Sequence, residues 1–255
     1  MLADYLKLFG KIAVVTGGAR GIGEDIACSL AHYGAKVMVC DIKDDLGVSV
    51  VQKILNDNGN AEYCHCDVSN PKSIEKMVNK TLDYFGKIDI LVNDAGIGSQ
   101  ILPFEEISDE EWDKIMHVDL AGPFYVTRAI IPYMKKQKYG KIINISSGSG
   151  VIGEPFCAHY ATAKAGLIGF TESIAKELAM YRINANVIAV PTTDTPMLSE
   201  TDFDISIKEE IKEIPWGRIA VTKDISDMVL YLSSDASEYV TGQCLAPNGG
   251  RHTPM

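Results

Sequence analysis

Short apolar runs and longer amphipathic stretches alternate along this chain. Lys11–Thr16 (KIAVVT) is short and apolar on both faces, which predicts a buried strand, and Ile22–Tyr33 follows with helical periodicity, closed by Gly34. The same pattern predicts strands at Lys36–Cys40, Ala61–Cys66, Ile88–Val92, Gly140–Ile145, Ala185–Val190 and Gln243–Ala246. Helices are predicted near Leu46–Asn56, Pro71–Phe85, Asp109–Lys136, His159–Tyr181 and Asp224–Ser233. Strands apolar on both faces and separated by helices imply a parallel sheet covered on both sides, with ligands bound at the carboxyl ends of the strands. The expected fold is α/β, a doubly wound parallel sheet in one domain over residues 1–255, because the glycines and prolines are scattered rather than gathered into a linker. Leu198–Ile214 is locally acidic and interrupts the alternation; it reads either as a small substrate lid or as a solvated helix.

The turn after the first strand adds chemistry to this frame. It reads Thr16-Gly17-Gly18-Ala19-Arg20-Gly21-Ile22-Gly23. Gly17 permits a tight turn, Gly21 lets the backbone approach a pyrophosphate, Gly23 allows close helix packing, and the helix N-terminus attracts the anion. Strand, glycines and helix in this order predict a Rossmann-type dinucleotide site. Asp41 ends the second strand, where a carboxylate accepts hydrogen bonds from the adenosine ribose hydroxyls and repels a 2′-phosphate, so NAD is expected as cofactor. Arg20 and Lys43 leave some NADP use open.

Three further motifs accompany that turn: Cys66-Asp67-Val68, Asn93-Asp94-Ala95-Gly96, and Tyr160 followed four residues later by Lys164. With TGxxxGxG at 16–23 they resemble the short-chain dehydrogenase/reductase family, from about Phe9 to about Gly250. The resemblance implies that Asp67 and Val68 contact the adenine, that Asn93 and Gly96 line the cofactor groove, and that Lys164 holds the nicotinamide ribose. Tyrosine and lysine four apart share one helix face, and a nearby ammonium stabilises a phenolate whose ordinary pKa of ~10 is too high for a neutral-pH base. Tyr160 is therefore the expected acid/base. Ser147 lies thirteen residues before Tyr160, the family's spacing for the serine that holds the substrate oxygen. Ser146 is the weaker candidate.

Two positions depart from the family pattern. Val118-Asp119-Leu120-Ala121-Gly122 places aspartate where the usual tetrad has asparagine, and an ionised Asp119 near Lys164 would raise the working pKa of Tyr160 and shift oxidation to alkaline pH. Val190-Pro191 stands where Pro-Gly is usual, so the loop backbone differs there. The following Thr193 and Thr195 resemble the positions that meet the nicotinamide amide and the phosphates. Asp94, where a second asparagine is common, reads as a solvated polar residue.

Charge narrows the partners. A formal net charge of -10 argues against nucleic acid and anionic membranes. The N-terminal MLADYLKLFGK lacks signal-peptide character and no apolar run reaches membrane-spanning length, so a cytoplasmic protein is expected. Six dispersed cysteines fit a reducing compartment. Cys64-His65-Cys66 lies in an alternating strand and reads as two buried thiols, not a metal site; no metal is expected.

The substrate pocket is expected from Ile97–Phe104, Gly148–Phe156 and 198–214, apolar and without a basic cluster, which suits a neutral secondary alcohol or ketone. The first expectation is thus an NAD-dependent alcohol dehydrogenase or ketone reductase, a homotetramer by family resemblance. Two alternatives stand beside it. One is a weakly catalytic NAD-binding sensor, prompted by Asp119 and Val190-Pro191. The other is a 3-oxoacyl-thioester reductase, ranked lower because an acidic chain docks poorly to an acidic carrier protein.

Overall fold

The computed structural model describes residues 5–196, 198 and 207–252. The chain begins β1 (Ile12–Thr16), α1 (Gly21–His32), β2 (Lys36–Asp41), α2 (Asp44–Asn56), β3 (Asn60–His65), α3 (Pro71–Phe85) and β4 (Ile90–Asn93). It continues with α4 (Asp109–Met116), a π-helical turn (His117–Ala121), α5 (Gly122–Gln137), β5 (Gly140–Ser147), the short α6 (Ser149–Ile152), α7 (Ala158–Leu178) and β6 (Ile183–Val190). β7 (Thr193–Asp194), α8 (Ile207–Glu213), β8 (Ala220–Val221), α9 (Thr222–Ser233) and β9 (Cys244–Leu245) complete it. Local signals explain the boundaries. In α3, Pro71 opens the helix behind Asn70, whose side chain accepts from the Lys72 N–H at 3.0 Å, and Gly86 closes it at φ +85°.

Seven parallel strands run in the order β3-β2-β1-β4-β5-β6-β9. The winding direction reverses between β1 and β4, which opens a crevice at their carboxyl ends, the ligand position of doubly wound sheets. Thr16 pairs with both Cys40 and Asn93, so three strand ends lie level there. Alternate residues of each strand serve two cores. Val15, Val39 and Ile143 pack with Ile26, Val50 and Val229 of α1, α2 and α9. Val14, Met38 and Ile142 pack with Met77, Ile130 and Leu178 of α3, α5 and α7.

The structure corrects several expected boundaries. The stretch read as one helix over Asp109–Lys136 is broken by the π turn at His117–Ala121, where the fully buried Asp119 sits and Pro123 lacks an N–H to continue the ladder. β5 extends two residues past Ile145, because Ser146 and Ser147 pair with Ala189 and Val190. Of the segment read as a lid or solvated helix, residues 197 and 199–206 lie outside the described residues; α8 turns Glu210 into the protein at 4% exposure while Ile207 and Glu209 face solvent. Cys64 and Cys66 join Cys40 in the second core, whereas His65 faces outward and bonds Asp44 Oδ1 at 2.7 Å. No described helix is long and apolar enough to cross a membrane.

Candidate active site

The glycine turn is built by steric exclusion. A Cβ on Gly17, at φ +70°, would lie 2.7 Å from the Ala95 nitrogen, and one on Gly23 would lie 2.2 Å from the Gly17 carbonyl oxygen and 2.7 Å from Asp94 Oδ2. No side chain fits either place. Gly21 faces Thr195 and Pro196 across the crevice, and Ile22 leans on the first core. Arg20 enters α1 as its extended N-cap residue. The bare backbone at the start of α1 is a cradle suited to a pyrophosphate.

Asp41 reaches this turn from β2. Its Oδ2 accepts the Ala19 N–H at 3.1 Å and its Oδ1 accepts the Lys43 N–H at 3.0 Å, so one carboxylate both caps its own turn and ties β2 to the glycine turn. Asp67 also serves its own turn, accepting from the Ser69 N–H at 2.9 Å and the Ser69 hydroxyl at 2.6 Å. Val68 is buried against Gly122. Asn93 is placed differently from the groove-lining position the resemblance implies. It is 2% exposed, and its amide donates inward to Thr127 Oγ1 at 3.1 Å and Asn144 Oδ1 at 2.8 Å, bracing β4 against β5 and α5.

Asp94, read from sequence as solvated, rests its carboxylate on Gly23 beneath the turn. Burial lifts its pKa to about 7, against the lowering effect of Lys164, with Asp41 adding to the rise and the Gly23 N–H opposing it.

Asp119, Tyr160, Lys164 and Ser147 come together beyond the carboxyl ends of β4 and β5. Lys164 Nζ lies 3.0 Å from Asp119 Oδ2 and 3.4 Å from the Ile145 carbonyl oxygen, and 5.4 Å from the centre of the Tyr160 ring. Asp119 Oδ1 accepts the Ile97 N–H at 2.9 Å, and Gly96 leaves room directly above the ion pair. Burial opposes the Lys164 charge, but Asp119 and then Tyr160 outweigh it and hold the ammonium above its ordinary range. Burial raises the Tyr160 pKa, Lys164 lowers it, Asp119 raises it, and a hydrogen bond with Ser147 lowers it.

The two serines separate by partner. The Ser146 hydroxyl is buried and donates to the Lys164 carbonyl at 2.8 Å, which fixes α7 on β5. Ser147 is half-buried, accepts the Ser149 N–H at 3.2 Å and is within hydrogen-bonding reach of Tyr160. Tyr160 and Ser147 therefore can hold one substrate oxygen between them.

The loop after β6 carries Thr193 and Thr195 to the other side of the crevice. Thr193 is 6% exposed and its hydroxyl donates to the Pro191 carbonyl at 2.8 Å, while Thr195 faces Gly21. Two of the expected pocket segments meet, since the Leu102 N–H donates to the Phe156 carbonyl at 3.0 Å. Sequence reasoning missed the C-terminal contribution. Arg251 ion-pairs with the buried Glu210 and with Glu213 at 3.3 Å, Thr192 bonds the same Glu210, and His252 lies against Gly148. These contacts join residues far apart in the chain and leave no local periodicity to read.

The chain resembles known proteins along nearly its whole length. A family profile described as Enoyl-(Acyl carrier protein) reductase matches residues 17–252. The protein is 36% identical to a 3-oxoacyl-(acyl-carrier-protein) reductase FabG of Thermotoga maritima, over 96% of this chain and 99% of the relative. It is 38% identical to the Escherichia coli protein of the same name, over 95% and 98%. Among solved structures it resembles a short-chain type dehydrogenase/reductase from Mycobacterium marinum (TM-score 0.94, 30% identity, 100% of both chains). It also resembles levodione reductase (TM-score 0.91, 28% identity, 96% of this chain and 98% of the other). With a profile spanning most of the chain and relatives aligned end to end, the assignment follows: this protein belongs to the short-chain dehydrogenase/reductase family, oxidoreductases that use a nicotinamide cofactor.

Proposed function

We propose that the protein interconverts 3-oxoacyl and 3-hydroxyacyl thioesters, with NAD(H) as the preferred cofactor. The end-to-end likeness to 3-oxoacyl-(acyl-carrier-protein) reductases at 36–38% identity carries the substrate class. It reverses the ranking drawn from sequence, which put a free alcohol or ketone first because of the chain's net charge of -10. Asp41 supports NAD: its carboxylate stands at the glycine turn, where it would accept ribose hydroxyls and repel a 2′-phosphate.

Gly17, Gly21 and Gly23 would hold the pyrophosphate, Lys164 the nicotinamide ribose, and Thr193 and Thr195 the nicotinamide end. The bound cofactor supplies or accepts the hydride. Ser147 and Tyr160 hold the substrate oxygen. Tyr160 delivers a proton to it in reduction and removes one in oxidation, and Lys164, charged and paired with Asp119, stabilises the phenolate. The proposed unit is the single domain 1–255 in a homo-oligomer. An apolar groove of about 690 Å³ along α4, the π turn, α5 and α7, lined by Met116, Leu120, Phe124 and Phe170, supports contact with a second copy.

The test is oxidation of NADH and NADPH by the purified protein with an acetoacetyl thioester. Turnover with NADH ahead of NADPH is expected. Turnover of simple ketones without turnover of the thioester would restore the free-ketone reading, which the likeness to levodione reductase also favours.

A further inference from the structure

The carboxylate of Glu210 is buried where three parts of the chain meet. Glu210 sits on α8 at 4% exposure, and its Oε1 accepts both the Thr192 hydroxyl and the Arg251 guanidinium. Its Oε2 is shielded from solvent and meets no partner among the described residues, so the charge is held through one oxygen by two segments distant in sequence. Arg251 also reaches Glu213 Oε2 at 3.3 Å, one turn further along α8. The backbone behind this arginine is itself fixed. The Arg251 N–H donates to the Asn248 carbonyl at 3.2 Å, Asn248 Nδ2 donates to the His252 carbonyl at 2.6 Å, and the Trp216 N–H, just beyond α8, donates to the Gly249 carbonyl at 3.0 Å. The C-terminal segment thus straps α8 by a side chain and by its backbone.

Thr192 carries this arrangement to the crevice. Its carbonyl accepts the Ala220 N–H at 3.1 Å, which sets β7 beside β8 with Thr193 opposite Ala220. Three residues beyond Thr192, the Thr195 Cβ lies 3.7 Å from the place a Gly21 Cβ would occupy, so the loop rests against the glycine turn. A pair of two-residue strands is too short to hold a loop by itself. The Thr192–Glu210 bond supplements it, and that bond depends on Glu210 staying inside. A buried carboxylate that loses its cation is left uncompensated, and moving it to water relieves the cost. Here that movement would take α8 outward and release Thr192.

We propose that Arg251 is a positioning residue for the cofactor: by keeping Glu210 buried it holds the loop from Thr192 to Thr195 against the glycine turn, and so sets how long a bound dinucleotide stays. Arg251 itself touches neither the glycine turn nor the tyrosine–lysine pair in the contacts described; it acts through Glu210 and Thr192. The inference rests on the cofactor placement proposed above and is independent of the substrate.

The experiment measures dissociation of the reduced cofactor by stopped-flow fluorescence, using whichever of NADH and NADPH the parent binds more tightly. Arg251→Met should raise the dissociation rate about tenfold, and Arg251→Lys, which keeps a cation for Glu210, should recover part of that change. Thr192→Val leaves the ion pair intact and frees only the loop, and should also speed release several-fold. AMP reaches the Asp41 side of the site but not the nicotinamide end, so its Kd, measured by competition, should stay within twofold of the parent in all three variants. A release rate within twofold of the parent in Arg251→Met overturns the proposal, as does an equal loss of affinity for AMP and the dinucleotide, which would mark general damage to the fold. If Arg251→Met does not fold, Thr192→Val decides by the same two criteria. Asp41→Ser run in parallel keeps the two readings apart: a shifted NADPH-to-NADH ratio there upholds the cofactor placement even where Arg251→Met releases cofactor as slowly as the parent, and then this inference alone falls.

Discussion

The carboxylate of Asp119 lies 3.0 Å from the ammonium of Lys164, and both side chains are buried. Family members resembling this chain usually have a neutral asparagine at that position, so this protein carries one more negative charge beside its proposed acid/base. Lys164 lowers the Tyr160 pKa and Asp119 raises it. Asp119→Asn should remove the opposing charge while keeping an oxygen to accept the Ile97 N–H. The rising limb of alcohol oxidation against pH should then move to lower pH by on the order of one unit. Steady-state profiles of the two enzymes check this, and curves that overlay would exclude a role for the Asp119 charge.

Cofactor choice is predicted to rest on Asp41. Its two oxygens hold the Ala19 and Lys43 N–H groups, so replacing it alters both charge and the shape of the turn. Asp41→Ser, which keeps a hydroxyl at the turn, should raise the NADPH-to-NADH ratio of kcat/KM by roughly tenfold or more, since one repulsive charge beside a phosphate is worth about 1–2 kcal/mol near a surface. NADH affinity should fall at the same time. An unchanged ratio would mean that selectivity lies elsewhere, with Arg20 and Lys43 the next residues to examine.

The parts legible in the sequence are those where one residue type has one physical use. Gly17 and Gly23 occupy places that no Cβ can enter, and Tyr160 and Lys164 share a helix face because of their spacing. The strands were visible because alternate residues such as Val14 and Val15 both face a core. The break at Asp119 was hidden, since a five-residue π turn barely disturbs the apolar period around it. Two-residue strands such as β7 and β8 are too short to show any period. Asn93 was misplaced because its inward partners, Thr127 and Asn144, lie on elements that only the fold brings near.

Asp94 should make cofactor affinity depend on pH near neutrality. Its carboxylate rests on Gly23 at the N-terminus of α1, where a pyrophosphate would bind, and burial lifts its pKa to about 7. Below that pH the group is neutral and does not repel the anion; above it the negative charge does. The Kd for NADH should therefore rise as pH increases from 6 to 8, by several-fold for a like-charge contact of this kind. Asp94→Asn should bind more tightly at pH 8 and show a flatter profile. A fluorescence titration that gives parallel slopes for the two proteins would remove Asp94 from the account.

Lys141 is a buried lysine whose charge opposes folding. It is 2% exposed at the start of β5, with its ammonium 3.3 Å from the Ser237 hydroxyl, and burial lowers its pKa to about 8 despite the raising effects of Asp235 and Glu238. A lysine whose pKa is lower in the folded protein than the ordinary 10.5 opposes folding while it is charged. That opposition is fully present below pH 8 and fades as pH rises from about 8 toward 10.5, where the unfolded chain also loses the proton. Lys141→Met keeps the length of the side chain and leaves Ser237 bonded to the Leu232 and Ser234 carbonyls. The variant should melt higher than the parent at pH 7, by about 2–4 °C for each kcal/mol regained in a chain of this size. The gain should shrink above pH 8. A variant that melts lower at pH 7, or a gain constant across the range, would show that the Lys141 ammonium is stabilised where it lies.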